Sequence, residues 1–207
     1  MTSPGIFLAL EGGEGAGKST LAAALAAFVT DAGREVIVTR EPGGTQAGEI
    51  VRTLLHEDLV PWAETFAFLA ARAQIVAEVI RPALQRGAVV ICDRFEASTF
   101  AYQGYARGLD LVTLRNLNRL ATGGLSPSLT LLLDIDPAAG LQRKHGEDEA
   151  IRTGLESLAF HKKVRSGYFA MAGEAPPGGW LVLDARRAPE SVVADAWSAL
   201  EPLLRRQ

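Results

Sequence analysis

Cysteine is nearly missing from this 207-residue chain, where Cys92 stands alone. It cannot close an internal disulfide, and inside an apolar run it reads as a small buried strand residue, so the expected compartment is a reducing one. Histidine is scarce as well: His56, His145 and His161 lie far apart, without metal-ligand spacing. Charge of one sign is lacking, since the formal net charge is −3 and no block of like charges forms a basic arm or an acidic tail. That balance argues against a nucleic-acid partner and leaves small molecules as the expected ones. No apolar run reaches the ~20 residues of a membrane span, and the N-terminal M-T-S-P-G-I-F-L-A-L carries no basic n-region. Neither a membrane partner nor an export signal is expected, and a cytoplasmic location is. What is plentiful is hydrophobic side chain, 48% of the residues, ample for the core of one large domain over residues 1–207.

Short apolar runs alternate with helical stretches along the chain. Ile6 to Leu10, Glu35 to Thr39, Ala88 to Cys92, Leu129 to Ile135 and Trp180 to Leu183 have the continuous apolar character of strands buried on both faces. Between the second and third, Phe66, Leu69, Ala73, Val76 and Ile80 recur at helical spacing within Trp62 to Arg86, and Pro82 is expected to kink that helix. Val192, Val193, Ala196, Trp197 and Leu200 mark a last helix. The alternation predicts an α/β fold, a doubly wound parallel sheet of five strands flanked by helices, with function at the strands' carboxyl ends.

Leu10 to Thr20, L-E-G-G-E-G-A-G-K-S-T, meets the phosphate-loop pattern G-x-x-x-x-G-K-S/T through Gly12, Gly17, Lys18 and Ser19. A strand-like run precedes it and an alanine-rich helical stretch follows, which is the context the motif requires. Glycines let backbone N–H groups wrap a polyphosphate, while a helix N-terminus and Lys18 offset its charge. The expected ATP-binding residues are Gly12, Gly13, Glu14, Gly15, Ala16, Gly17, Lys18, Ser19 and Thr20, with the Ser19 hydroxyl on Mg²⁺.

Motors, switches, transporters and kinases share this loop, so the acceptor side must discriminate. R-E-P-G-G-T (Arg40 to Thr45) follows the second strand and leads to a helix carrying Arg52. A plain turn accounts for Pro42 and Gly43 but not for two charges at a strand's carboxyl end. Phe68 and Arg72 lie four apart on the long helix, where an aromatic face and a guanidinium can stack on and hydrogen-bond a nucleobase, or serve as core and surface charge. Asp93-Arg94-Phe95 ends the third strand, so Asp93 can act through Mg²⁺ and Arg94 can clamp a phosphate, the alternative being an ion pair capping the strand. His145 to Gly154 is polar and reads either as a loop that closes over phosphates or as a solvated connection.

Together these segments resemble the thymidylate kinase family. The likeness is carried by E-G-G-E-G-A-G-K-S-T (Glu11 to Thr20), T-R-E-P-G-G-T (Thr39 to Thr45), F-L-A-A-R-A-Q (Phe68 to Gln74), D-R-F-E-A-S-T-F-A-Y-Q-G (Asp93 to Gly104) and L-L-L-D-I-D-P-A-A-G-L (Leu131 to Leu141), in order and across essentially the whole chain. It implies ATP-dependent phosphorylation of dTMP to dTDP in nucleotide biosynthesis, Mg²⁺ as cofactor and a homodimer. It implies that Phe68 stacks on thymine, Arg72 bonds the base edge, and Ser98, Thr99, Tyr102 and Gln103 complete the nucleoside pocket. Glu14 would contact the sugar side, Arg94 and Arg52 the acceptor phosphate, and Asp93 with Ser19 the metal. Family members without an arginine in the phosphate loop bring arginines from a lid, here approximately residues 143–155, typically ending in D-R-x-E. This chain has Arg143, Lys144 and Arg152 there, with Ile151 and Gly154 in place of the aspartate and glutamate. Lys18, Arg94, Arg152 and then Arg143 are thus the expected catalytic cations. The rivals are a kinase for another nucleoside monophosphate, a relative that binds nucleotide with little turnover, and an ATPase or switch, which would leave R-E-P-G-G-T and D-R-F without a task.

Overall fold

The computed structural model describes residues 4–145 and 157–205. All five expected strands form: β1 (Ile6–Gly12), β2 (Val36–Arg40), β3 (Val89–Asp93), β4 (Leu129–Asp134) and β5 (Trp180–Asp184). Among the described residues they make one parallel sheet in the order β2-β3-β1-β4-β5. Strand β1 is buried throughout because its alternating side chains feed two cores, Ile6, Leu8 and Leu10 one and Phe7 and Ala9 the other. Each fully buried Leu or Phe contributes about 1.5–3 kcal/mol, which fixes the register of the central strands. The edge strands depart from the expectation of burial on both faces. Val38 in β2 is 50% exposed and Val182 in β5 41%, since an edge has a neighbouring strand on one side only.

Helix α1 (Lys18–Asp31) lays Leu21, Ala22, Leu25 and Val29 on the sheet, next to Val192, Ala196, Leu200 and Leu204 of the final helix Pro189–Arg205. On the other face the long helical stretch divides into α3 (Pro61–Ile75), a π-helical turn (Val76–Ile80) and α4 (Arg81–Gln85), after α2 (Gln46–Leu54). The disturbance expected at Pro82 thus falls a turn earlier. Proline has no N–H for the carbonyl of Glu78 and its ring crowds that carbonyl, so the hydrogen-bond ladder widens just ahead of it. Phe66 does not join the buried stripe: it is 54% exposed and stacks against Trp62. The stripe runs through Thr65, Leu69, Arg72, Val76 and Ile80 instead, with an arginine inside it.

After β3 the chain forms α5 (Glu96–Thr99), a π-helical segment (Phe100–Ala106) and α6 (Leu111–Thr122). Helices α7 (Pro137–His145) and α8 (Leu158–Glu174) follow β4, and Phe100, Leu114, Leu132, Val164 and Tyr168 close a third core among these elements. Of the expected lid, residues 143–145 are the last turn of α7 rather than loop. Residues 146–155, Arg152 with them, lie outside the described residues.

Candidate active site

Where β1 ends, the chain needs backbone that side chains forbid. Gly12, Gly15 and Gly17 have φ of 139°, 66° and 89°. A Cβ on Gly12 would stand 2.4 Å from the Leu133 carbonyl oxygen, and one on Gly15 2.1 Å from that of Gly140. Helix α1 then opens with Gly17 as a cap that has no side chain to accept from its first N–H groups, so those donors are left for a phosphate. Lys18 folds back over the loop, and its Nζ donates to the carbonyls of Gly12 at 3.1 Å and Gly13 at 2.9 Å. Burial, and after it Arg94, lower the Lys18 ammonium to about 8, so it remains a cation at neutral pH.

The Ser19 hydroxyl donates to Asp93 Oδ2 at 2.8 Å, which joins the loop to the end of β3. Two hard oxygen donors beside a phosphate cradle suit Mg²⁺, an ion that takes few protein ligands and completes its shell with water and phosphate. No group of three or more His, Cys, Asp or Glu among the described residues offers a cage of another kind.

Beside the loop lies a cavity of about 630 Å³, between the carboxyl ends of β1, β2 and β3 and the helices α2, α3 and α8. Glu14, Ser19, Arg52, Phe68, Arg72, Asp93, Arg94, Ser98, Thr99, Tyr102 and Gln103 line it, joining residues from four sequence segments. Phe68 presents a half-buried ring to it. Arg94 Nη2 donates to Glu14 Oε1 at 2.6 Å and Nη1 to Gly12 O at 3.2 Å, with the guanidinium 5.3 Å over the Tyr102 ring. The Tyr102 hydroxyl, pushed up to about 12 by burial, also donates to Glu14 Oε1 at 3.3 Å. Burial alone would raise the Glu14 carboxyl, but Arg94, Lys18 and Lys144 hold it well below the carboxylate range.

Arg94 is the single non-glycine residue with positive φ among the described residues, at 70°. Its neighbours hold it there: Phe95 N–H and Ser98 N–H donate to Glu11 Oε1 at 2.9 and 3.2 Å, while the hydroxyls of Ser98 and Tyr168 donate to Oε2 at 2.7 and 3.0 Å. Glu11 is fully buried, and desolvation raises its carboxyl against those four donors. The turn after β3 is thus tied down by a carboxylate at the end of β1.

Arg72 is not a surface charge. It is 1% exposed and uses its whole fork internally, on Glu41 Oε2 (2.7 Å), Thr99 Oγ1 (3.0 Å), Asn118 Oδ1 (2.9 Å) and the Phe95 carbonyl (3.0 Å). A bond to a base edge therefore has to be shared with one of these. Glu41, held by the cis Glu41–Pro42 bond and the positive-φ Gly43 and Gly44, is the buried counter-ion. Desolvation, opposed by Arg72, lifts it to about 7. Gln103 Nε2 donates to Glu64 Oε2 at 3.3 Å, and Arg107 closes the set with a 2.8 Å ion pair to Glu64. Because an ionised carboxylate accepts only, Glu64 leaves the Gln103 carbonyl oxygen as the free end. Arg52 is held by the Pro42 carbonyl at 3.5 Å.

Arg143, expected in catalysis, turns away and donates to the Ala185 carbonyl at 3.2 Å. Its neighbour Lys144 lines the cavity and reaches Glu14 Oε2 at 2.6 Å. Glu64, Asn118 and Tyr168 carry no motif signal, and Glu11 and Lys144 lie inside the phosphate-loop segment and the lid without a role that the motifs assign. Glu11 alone leaves a signal in composition, as a carboxylate closing a wholly apolar strand, which is rare unless it is paired.

The family model for thymidylate kinase matches residues 10–196. A thymidylate kinase of Deinococcus radiodurans is 48% identical over 201 residues, covering 96% of this chain and 97% of that one. One from Thermomicrobium roseum is 50% identical over 204 residues, covering 97% and 96%. Among solved structures, thymidylate kinase from Ehrlichia chaffeensis superposes with a TM-score of 0.79 at 29% identity, covering 95% of this chain and 99% of that chain.

Proposed function

The chain belongs to the thymidylate kinase family and phosphorylates dTMP with ATP, and we propose that it does so between the phosphate loop and the adjoining cavity. The observation that carries this division of roles is the cavity of about 630 Å³, which joins the Phe68 ring, the Gln103 amide, the Thr99 hydroxyl and the guanidinium groups of Arg52, Arg72 and Arg94 to the wall of the loop. Phe68 stacks on the base, and Gln103 and Arg72, with Thr99, read its edge. Tyr102, Ser98 and Glu14 face the sugar, while Arg94 and Arg52 take the acceptor phosphate. Lys18 and the N–H groups of Gly13 to Thr20 hold the donor's phosphates. Ser19 and Asp93 would hold Mg²⁺, which when bound supplies charge neutralisation at the donor's phosphates. An acceptor-phosphate oxygen forms a bond to the γ-phosphorus as the bond to the β–γ bridging oxygen breaks, and ADP leaves with that electron pair.

Steady-state assays with dTMP, dUMP, dCMP and AMP test the assignment. Loss of the 5-methyl group in dUMP is expected to lower kcat/KM by about 10- to 200-fold, and a base with the wrong hydrogen-bonding edge by about 10⁴-fold or more. Equal use of dCMP or AMP would remove the edge-reading role from Gln103 and Arg72.

The homodimer is proposed on Ile50 and Leu54 of α2, Phe66 of α3 and Leu120 of α6, large apolar side chains left exposed on three helices that pack side by side. Sedimentation equilibrium is expected to give twice the 22.0 kDa chain mass, and Phe66→Glu half of that; a monomer throughout the micromolar range contradicts the interface. No described helix is long and apolar enough to cross a membrane. The lone buried Cys92 supports the cytoplasm as the working compartment.

A further inference from the structure

Glu14 stands at the mouth between the loop and the cavity with cations from three segments around it. Glu14 Oε1 takes Arg94 Nη2 at 2.6 Å, its Oε2 takes Lys144 Nζ at 2.6 Å, and Lys18 acts on it through space. Asp93 lines the same cavity and acts with Glu14 on Lys18, and the Glu14, Arg94 and Lys144 side chains are only 13%, 18% and 24% exposed. Cations so placed act on an entering anion in a medium that screens poorly.

Lys144 is brought there by the fold. Gly15 and Gly140 meet backbone to backbone, since a Cβ on Gly140 would stand 2.3 Å from the Glu14 carbonyl oxygen and one on Gly15 2.1 Å from the Gly140 carbonyl oxygen. The start of α7 is therefore seated on the phosphate loop. Lys144 lies four residues after Gly140, one helical turn along the same face, and so projects toward Glu14. Arg143, one position earlier, is rotated away to the Ala185 carbonyl. The helix thus presents a lysine, not an arginine, to the loop.

Resting on the kinase reading above, we propose that Lys144 is a catalytic residue, the cation that α7 contributes to the transferring phosphoryl group, with Glu14 as the anion that holds it in position before the phosphates arrive. A lysine suits this exchange because its ammonium is a compact charge on a flexible stem, free to pass from a carboxylate to a phosphoryl oxygen a short distance away. It keeps its proton throughout and acts by offsetting the charge on the phosphoryl oxygens as the acceptor oxygen closes on phosphorus.

Lys144→Met in the full chain tests this, with ATP and dTMP each varied. The expected result is a kcat lowered about 10- to 100-fold with KM for dTMP and the thermal midpoint little changed, and with much of the rate restored by Lys144→Arg. Wild-type turnover of dTMP in the same assay checks the kinase reading separately. A kcat within about twofold of wild type, or a loss that follows a lowered thermal midpoint and is not repaired by arginine, overturns the role. So does a Lys144→Met enzyme of undiminished rate beside an Arg152→Met enzyme that has lost it.

Discussion

Lys18→Ala is expected to lower kcat by about 100- to 1,000-fold while KM for dTMP moves by less than about threefold. The lysine is held inside the loop and is 8% exposed, with the acceptor cavity lined by other side chains. Its charge is desolvated in advance, as the lowering to about 8 shows, so it acts on the donor's phosphates in a medium that screens poorly. The interaction strengthens as charge moves onto the β–γ bridging oxygen, so its removal is felt in the transition state more than in binding. The substitution also takes the Lys18 donor from the Gly13 carbonyl, at about 1–3 kcal/mol if water does not replace it, while the Gly12 carbonyl keeps Arg94 Nη1 at 3.2 Å. Lys18→Met lacks the donor and the charge as alanine does but keeps the packing of the stem, so it is expected to retain more stability and no more activity. Kinetics give kcat, calorimetry gives dTMP affinity, and a comparable loss in both would contradict the division between loop and cavity.

The parts legible in the sequence are those in which the chemistry is local. Gly12, Gly15 and Gly17 announce themselves because a tight loop needs positive φ at closely spaced positions, and Asp93-Arg94 because they end an apolar run. The strands were readable for the same reason, each a short apolar run between turn residues. What escaped depends on partners far along the chain. Glu11 acts on Phe95 and Ser98, and Arg72 on Glu41, Thr99 and Asn118, so neither contact leaves a period or a spacing. Arg72 shows the consequence most clearly: helical spacing puts it on the face of Phe68, but not whether that face meets water or a buried glutamate. Which of Arg143 and Lys144 reaches Glu14 is of the same kind, set by the close seating of Gly140 on the loop. Pro82 was a visible breaker, yet the break appears upstream because the carbonyl it deprives is four residues back.

Arg94→Ala should have the opposite kinetic signature to Lys18→Ala, a KM for dTMP raised about 30- to 5,000-fold with a smaller fall in kcat, because truncating one partner of a buried, charge-assisted contact costs about 2–5 kcal/mol. The guanidinium lines the cavity, is fixed by Glu14, Gly12 and Ser98, and is backed by the Tyr102 ring, so a phosphate meets a fork that is already oriented. Arg94→Lys keeps the charge without the fork and should recover only part of the affinity. Backbone strain must be separated from side-chain loss, since residue 94 sits at φ 70°. Glycine relieves a left-handed conformation that costs other residues about 1–2 kcal/mol, so Arg94→Gly should melt higher than Arg94→Ala. Their KM values should nevertheless agree, because both lack the guanidinium. If KM instead follows the melting temperature across the pair, the residue acts through the turn after β3 and not on the acceptor phosphate. In that case the Glu11 carboxylate, which holds the same turn from β1, is the group whose substitution should reproduce the loss.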